Sequence, residues 1–492
     1  MKKGVITLML IPLLLFYTLP VEGAEKEERT WQDETIYFLM IDRFYNGDTR
    51  NDFEVNRNDP LSFYGGDFQG IIDKLDYLKE MGFTTLLLTP IFDNDEKGYH
   101  GYWMVDYYKP DEHFGSLGKF RELVKEAHNR DMKVMVDFVT NYVGKNHPWV
   151  SDPNKKDWFS DQLVNGLPQL ALENNDVQKY LIDAAKWWVE ETDLDGYRLE
   201  GVEQAPHSFW KDFVKEVKGV KKDFFLLGEI TSDHEEEIGN FENTGIDGFL
   251  DYPKTQTLRN AFAMPDQSSQ MLFSFPADQN QYLRGTFLDN HLMKRFTNDA
   301  AEKNKHPGPR WKLALTYLYT SPGIPIVYYG SEIALAGEDI PENRAVMDFR
   351  TDQDLIDYIS KIGKLRQDLP SLTKGTLEFL YEKNGMMVFK RTYKEETVVI
   401  AINNTSKTQI VTLDDKMIEG GKELRGLLAG DLVRSNEENK YNIVIDREEA
   451  EIYVLAEKTK IKLSFIIGTV AVWVIFILFL YVVWKKAKTG RS

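Results

Sequence analysis

With 492 residues, the chain can bury one large core and one smaller one. Its 42% hydrophobic and 28% charged residues, without a long biased tract, describe a folded globular protein and argue against extended disorder. A formal net charge of -18 repels phosphate backbones and so argues against nucleic acid as a partner, whereas neutral sugars are indifferent to it.

The chain opens on a signal-like segment. Lys2 and Lys3 precede an apolar run over 5–19, and Gly23 and Ala24 supply small residues for cleavage, so 1–24 reads as a secretory signal peptide. There is no cysteine, so an exported protein of this kind relies on core packing and bound metal rather than disulfides, a habit that suits bacterial export.

From 25 to 370, β-rich runs alternate with amphipathic stretches. The runs lie at 36–41, 84–89, 133–138, 196–200, 224–229, 248–252, 285–289 and 325–329, with helical patterns such as 68–81, 117–130 and 177–191 between them. Eight such units predict an α/β protein of the (β/α)8 TIM-barrel class, in preference to an open doubly wound sheet. Turn formers and aromatics at 142–175 predict a short loop domain after strand 3. Short alternating runs over 371–457 predict a C-terminal antiparallel β-sandwich.

Residues 463–484 carry no charge, and at about 1.5 Å rise per residue they cover the hydrocarbon thickness of a bilayer. Lys485, Lys486, Lys488 and Arg491 follow at once, which leaves the tail 485–492 in the cytoplasm and the main domain outside. The expected location is the cell membrane, with a single pass.

In a parallel barrel the chemistry gathers at the carboxyl ends of the strands. Asp137 and Asn141 follow the third, Arg198 and Glu200 end the fourth, Glu229 ends the fifth, and Asp289 and His291 end the seventh. Separately, Asn46, Asp48, Asn51 and Asp52, with Asp67 nearby, crowd hard oxygens onto one turn. Calcium wants six to eight such oxygens, and the same composition is also ordinary turn chemistry.

The motifs IDRFYNGD from 41, GYHGYW from 98, DFVTNY from 137, LPQL from 167, GYRLEGVEQ from 196, LLGEI from 226, FLDNHL from 287 and GIPIVYYGSE from 323 resemble the α-amylase family, glycoside hydrolase family 13, in its order. The resemblance covers about residues 30 to 457. It implies α-glucan substrates, starch or maltooligosaccharides, and two carboxyl groups flanking the scissile bond, about 5–5.5 Å apart in a retaining mechanism. By motif Glu229 matches the general acid and Glu200 stands at the nucleophile position, where the family has Asp. Leu292 occupies the place of the third carboxylate.

The resemblance also implies that Arg198 orients the carboxylate at 200, that His100 and His291 grip sugar hydroxyls, and that Tyr102 stacks on the sugar. It places Arg344 at the adjacent subsite. It implies a calcium site at Asn46, Asp48, Asn51, Asp52, Asp67 and the Gly65 carbonyl, and a second involving Asn141 and the 169 position, where Gln169 replaces a carboxylate. Tyr142 and Gln204 stand where the family has histidines.

Three readings follow: a cell-surface hydrolase or transglycosylase of weak or altered activity, a non-catalytic α-glucan binder, and a membrane-partner scaffold. Of two candidate substitutes for the lost carboxylate, Asp289 is expected to be structural and Glu203 a rim residue.

Overall fold

The computed structural model describes residues 28–232, 235–275, 283–351, 353–458 and 463–489, so the predicted signal peptide at 1–24 lies outside the described residues. Eight parallel strands close into a barrel: β1 (Ile36–Leu39), β2 (Thr85–Leu88), β3 (Lys133–Val139), β4 (Gly196–Glu200), β5 (Phe225–Gly228), β6 (Gly248–Leu250), β7 (Leu283–Thr286) and β8 (Ile324–Tyr328). Strands buried on both faces read as near-continuous apolar runs, as the fully buried Ile36–Leu39 and Thr85–Leu88 do. All eight predicted strands are present, and their rank in the barrel follows the chain.

The outer helices present an apolar stripe inward. In Phe68–Glu80 the stripe is Phe68, Ile71, Leu75 and Leu78, and the Asp67 carboxylate caps the start by accepting from the Gly70 N–H. Ser116 caps Leu117–His128 in the same way through the Lys119 N–H. Asn174 opens Asn175–Thr192, which ends where Asp193 turns left-handed at φ 57°.

Two excursions shape the barrel mouth. After β2, a hairpin of Phe92–Asn94 and Met104–Pro110 carries the GYHGYW motif between its strands. After β3, the predicted loop domain comprises Pro148–Ser151, a 3-10 turn Pro153–Trp158 and the hairpin Phe159–Val164 with Leu167–Leu170.

The C-terminal unit is a six-stranded antiparallel sheet and a two-stranded one, Gln409–Leu413 with Tyr441–Ile445. Met386, Val388, Val399 and Ala401 from the large sheet bury against Val411, Leu413, Ile443 and Ile445 from the small one, which makes it a sandwich. Arg391 fastens it to the barrel by donating to the carbonyls of Thr320 (2.5 Å) and Gly375 (2.8 Å).

The C-terminal helix, Leu463–Thr489, includes the predicted span at 463–484, and its side chains over 470–485 are exposed. Among the described residues no helix is long and apolar enough to cross a membrane. The described side chains of this helix cover only part of the uncharged 463–484 stretch.

Candidate active site at the barrel mouth

Glu200 and Glu229 stand on neighbouring strand ends. The β4–β5 register pairs Leu199 with Gly228, and the Glu229 N–H donates to the Leu199 carbonyl at 2.8 Å, so the two carboxyl-bearing residues follow side by side. Gly201, at φ 65°, then turns the chain away; a Cβ there would come 2.6 Å from Asn141 Nδ2.

Glu229 is 0% exposed and both its oxygens accept hydrogen bonds. Arg198 Nη2 donates to Oε2 at 2.5 Å, and the Tyr252 hydroxyl donates to Oε1 at 2.5 Å. The other arm of Arg198 donates to Asp137, as does the Tyr102 hydroxyl. Burial pushes the Asp137 carboxyl up to about 6, against the pull of Arg198. Arg198 is 1% exposed, so its guanidinium is spent between two carboxylates rather than on substrate.

The expected pairing of Arg198 with Glu200 is therefore corrected. Glu200 instead accepts from the Tyr142 hydroxyl at Oε1, 2.9 Å, while Arg198 acts on it through its charge without a hydrogen bond. Its Oε2 is buried with no hydrogen-bond partner. Burial first, then the charge of Glu229, pushes the Glu200 carboxyl up to about 8.

The expected sugar-gripping residues surround this pair. Tyr102 stacks on His291 with ring centroids 4.8 Å apart and planes 4° apart. His100 Nδ1 accepts from the Tyr102 N–H at 3.0 Å, and Arg344 Nε holds the His291 carbonyl at 3.1 Å. Burial pushes both imidazoles well below the usual histidine value, with Arg344 adding to both, so they are neutral groups suited to sugar hydroxyls. His291 Nδ1 is buried and unpartnered.

Leu292 is 43% exposed. Asp289 does not replace the missing carboxylate: its oxygens accept from the Phe296 N–H (2.9 Å) and the Ser331 hydroxyl (3.0 Å), a structural role as expected. Glu203 is an exposed residue on the 3-10 turn Val202–Gln204.

Tyr252 and Asn290 were not singled out in the sequence. The run 248–252 reads as one strand, but the Asp251 carboxylate caps the following helix through the Lys254 N–H and Pro253 sits in its first turn. The strand thus stops at Leu250, and Tyr252 reaches the mouth from a helix start. An aromatic hydroxyl just past a barrel strand was the available signal.

The calcium candidates divide into two sets. Asn46 Oδ1 and Asn51 Oδ1 are buried without hydrogen-bond partners. A Cβ on Gly65 (φ 90°) would come 2.5 Å from Asn46 Nδ2 and 2.6 Å from Asp52 Oδ1, and Asn46 Nδ2 donates to Asp52 Oδ1 at 2.7 Å, so these three residues adjoin on one turn. Asp48 is engaged by Arg50 (2.8 and 2.7 Å), and Asp67 accepts from the N–H groups of Gly47, Asp48 and Gly70.

At the second candidate site Asn141 Oδ1 is buried without a hydrogen-bond partner, its Nδ2 donates to Gln204 Oε1 at 3.0 Å, and Ser160 Oγ donates to Gln169 Oε1 at 2.7 Å, so amides stand there in place of the family's carboxylate. Among the described residues no group of three His, Cys, Asp or Glu is arranged to hold a metal.

The family described as "Alpha amylase, catalytic domain" matches residues 38–162 and 146–370, and "Alpha-amylase C-terminal domain" matches 375–453. An alpha-amylase structure from Anoxybacillus is 56% identical, with a TM-score of 0.85 over 88% of this chain and 100% of that one. The alpha-amylase of Geobacillus thermoleovorans, solved in complex with acarbose, is 54% identical, with a TM-score of 0.84 over 88% of this chain and 100% of that one. The cyclomaltodextrinase of Thermoanaerobacter pseudethanolicus is 31% identical over 80% of this chain and 73% of its own length. The chain spans only 36% of the beta/alpha-amylase of Paenibacillus polymyxa, to which it is 35% identical over 82% of its own length. From the closed barrel, the paired carboxyl groups at its mouth and these matches, it follows that the chain belongs to the alpha-amylase family, glycoside hydrolase family 13.

Proposed function

We propose that the chain hydrolyses α-1,4-linked glucans, starch or maltooligosaccharides, at a rate reduced by the changes at 200 and 292. The carrying observation is the pair Glu200 and Glu229 on adjacent strand ends, joined through the 2.8 Å backbone bond, with neutral His100 and His291 beside them. When ionised, Glu200 forms a bond to the anomeric carbon. The glycosidic bond breaks, its electron pair goes to the leaving oxygen, and Glu229 supplies the proton. Water then adds at the same carbon, returning a proton to Glu229 and releasing Glu200 as a carboxylate.

The full chain is tested with maltooligosaccharides against Glu229→Gln. Turnover lost in that variant supports the reading. Equal turnover in both, or none in either, opposes it.

A second reading, a non-catalytic α-glucan binder, draws on the full burial of Glu229 behind two donors and on Leu292 in place of a carboxylate. Starch affinity without turnover distinguishes it.

Two further parts belong to the proposal. The uncharged 463–484 stretch anchors the chain in the cell membrane with the barrel outside, supported by its length and the lysines that follow. Calcium, bound by Asn46, Asn51, Asp52 and the Gly65 carbonyl, would tie the loop after β1 together, supported by the two unpartnered amide oxygens.

A further inference from the structure

We infer that Tyr142 is a positioning residue, whose hydroxyl holds Glu200 Oε1 and so aims the attacking carboxyl group. The inference deepens the hydrolase reading and rests on it for its kinetic consequence.

Glu200 closes β4, and the β3–β4 register pairs it with Val139, three residues before Tyr142. The Tyr142 hydroxyl reaches across to donate to Glu200 Oε1 at 2.9 Å. Among the described residues no other hydrogen bond reaches this carboxyl group, since Oε2 is buried with no partner. Arg198 adds only the attraction of its charge, which falls off slowly with distance and sets no direction, whereas a hydrogen bond does.

The donor is itself fixed. Tyr142 is 5% exposed and bridges Gln169 of the loop-domain hairpin. On either side of it, the Asn141 carbonyl accepts from the Leu170 N–H at 2.9 Å and the Val143 N–H donates to the Pro168 carbonyl at 3.1 Å. The Tyr107 hydroxyl shares its proton between the Val139 carbonyl (3.0 Å) and the Tyr142 carbonyl (3.4 Å). Asn141 also fills the space where Gly201 lacks a Cβ, so the backbones carrying the two side chains adjoin.

Glu has one more rotatable bond than Asp, and attack on a carbon requires that freedom to be removed beforehand. A directional bond from a rigid donor removes it. Two positions at which the DFVTNY and GYRLEGVEQ motifs depart from the family are therefore in contact, each side chain meeting the other.

The test is a cycle in the full chain: Tyr142→Phe, Glu200→Asp and the two combined. In Glu200→Asp the carboxyl group draws back by about 1.5 Å, beyond hydrogen-bond reach of the hydroxyl. Tyr142→Phe alone is expected to lower kcat on maltooligosaccharides about tenfold, with KM changing less than about twofold. Labelling of position 200 by a 5-fluoro α-maltosyl fluoride, which reads attack without a proton donor, should slow by a similar factor. On the Glu200→Asp background the fall in kcat should shrink to less than about twofold.

An equal fall on both backgrounds marks a merely structural tyrosine and overturns the inference, as does no fall on either. If the native chain turns nothing over, the hydrolase reading fails and melting temperatures decide the contact. Tyr142→Phe should then lower the melting temperature by about 2 °C with Glu at 200 and by less than about 0.5 °C with Asp. Equal shifts on the two backgrounds overturn the inference.

Discussion

Arg198 grips Glu229 Oε2 at 2.5 Å and leaves Glu200 to Tyr142, whose hydroxyl stands 2.9 Å from Glu200 Oε1. One guanidinium therefore holds the carboxyl group that should lend a proton by a hydrogen bond, and reaches the one that should attack only through its charge. Asp137 holds the other arm of the same guanidinium in place.

Glu200→Asp shortens that side chain and returns its carboxyl group towards Arg198. A displacement of about 1 Å in a reacting group is worth on the order of 10²-fold, so kcat on maltooligosaccharides is expected to rise by up to about that factor. Steady-state kinetics check it, and a fall in kcat would contradict the geometric account.

Leu292→Asp restores a carboxylate at a position that is 43% exposed, where the change costs the core little. A well-aimed electrostatic stabiliser is worth about 10²–10³ in kcat, and a rise of that order is expected, with the melting temperature nearly unchanged. The gain should multiply with that of Glu200→Asp only in part, since both act on one charge.

Lys254 is buried beneath the mouth, 3.3 Å from the Pro322 carbonyl, and burial pushes its amine down from 10.5 to about 8. Between those two values the unfolded chain holds more protons than the folded one, so stability from this group rises with pH across that window and is lost as pH falls through it. Melting temperatures from about pH 7.5 to about pH 9.5 should show a rising contribution that Lys254→Met removes. An identical pH dependence in both proteins would contradict it.

Calcium removal should lower the melting temperature. A ligand at 100 times its dissociation constant stabilises by about 2.7 kcal/mol, and chelation removes a term of that order. Calorimetry with and without chelator, on the native chain and on Asp52→Asn, checks it: the variant should lose most of the calcium response. Asn141→Ala should leave the response intact, because its surroundings are amides.

The barrel was legible because each strand is a short apolar run bounded by turn residues, and the mouth was legible because GYRLEGVEQ and LLGEI end two of those runs. The strands Glu423–Gly426 and Leu432–Arg434 were not: they are only four and three residues long and set among glycines, and only pairing with their neighbours makes them strands. Tyr252 was hidden by an apolar run that the Asp251 cap cuts short. The partner of Arg198 was not legible either, since it depends on how far one methylene carries Glu200, which only the packed site decides.

Treating the native chain with a 5-fluoro α-maltosyl fluoride tests the central claim most directly, because fluoride leaves without a proton from Glu229 and the attack from position 200 is read by itself. The account predicts, by mass spectrometry, one glycosyl group added to the peptide that carries Glu200, and none in Glu200→Gln. No adduct, or an adduct on another side chain, would contradict the assignment of Glu200 as the attacking carboxylate.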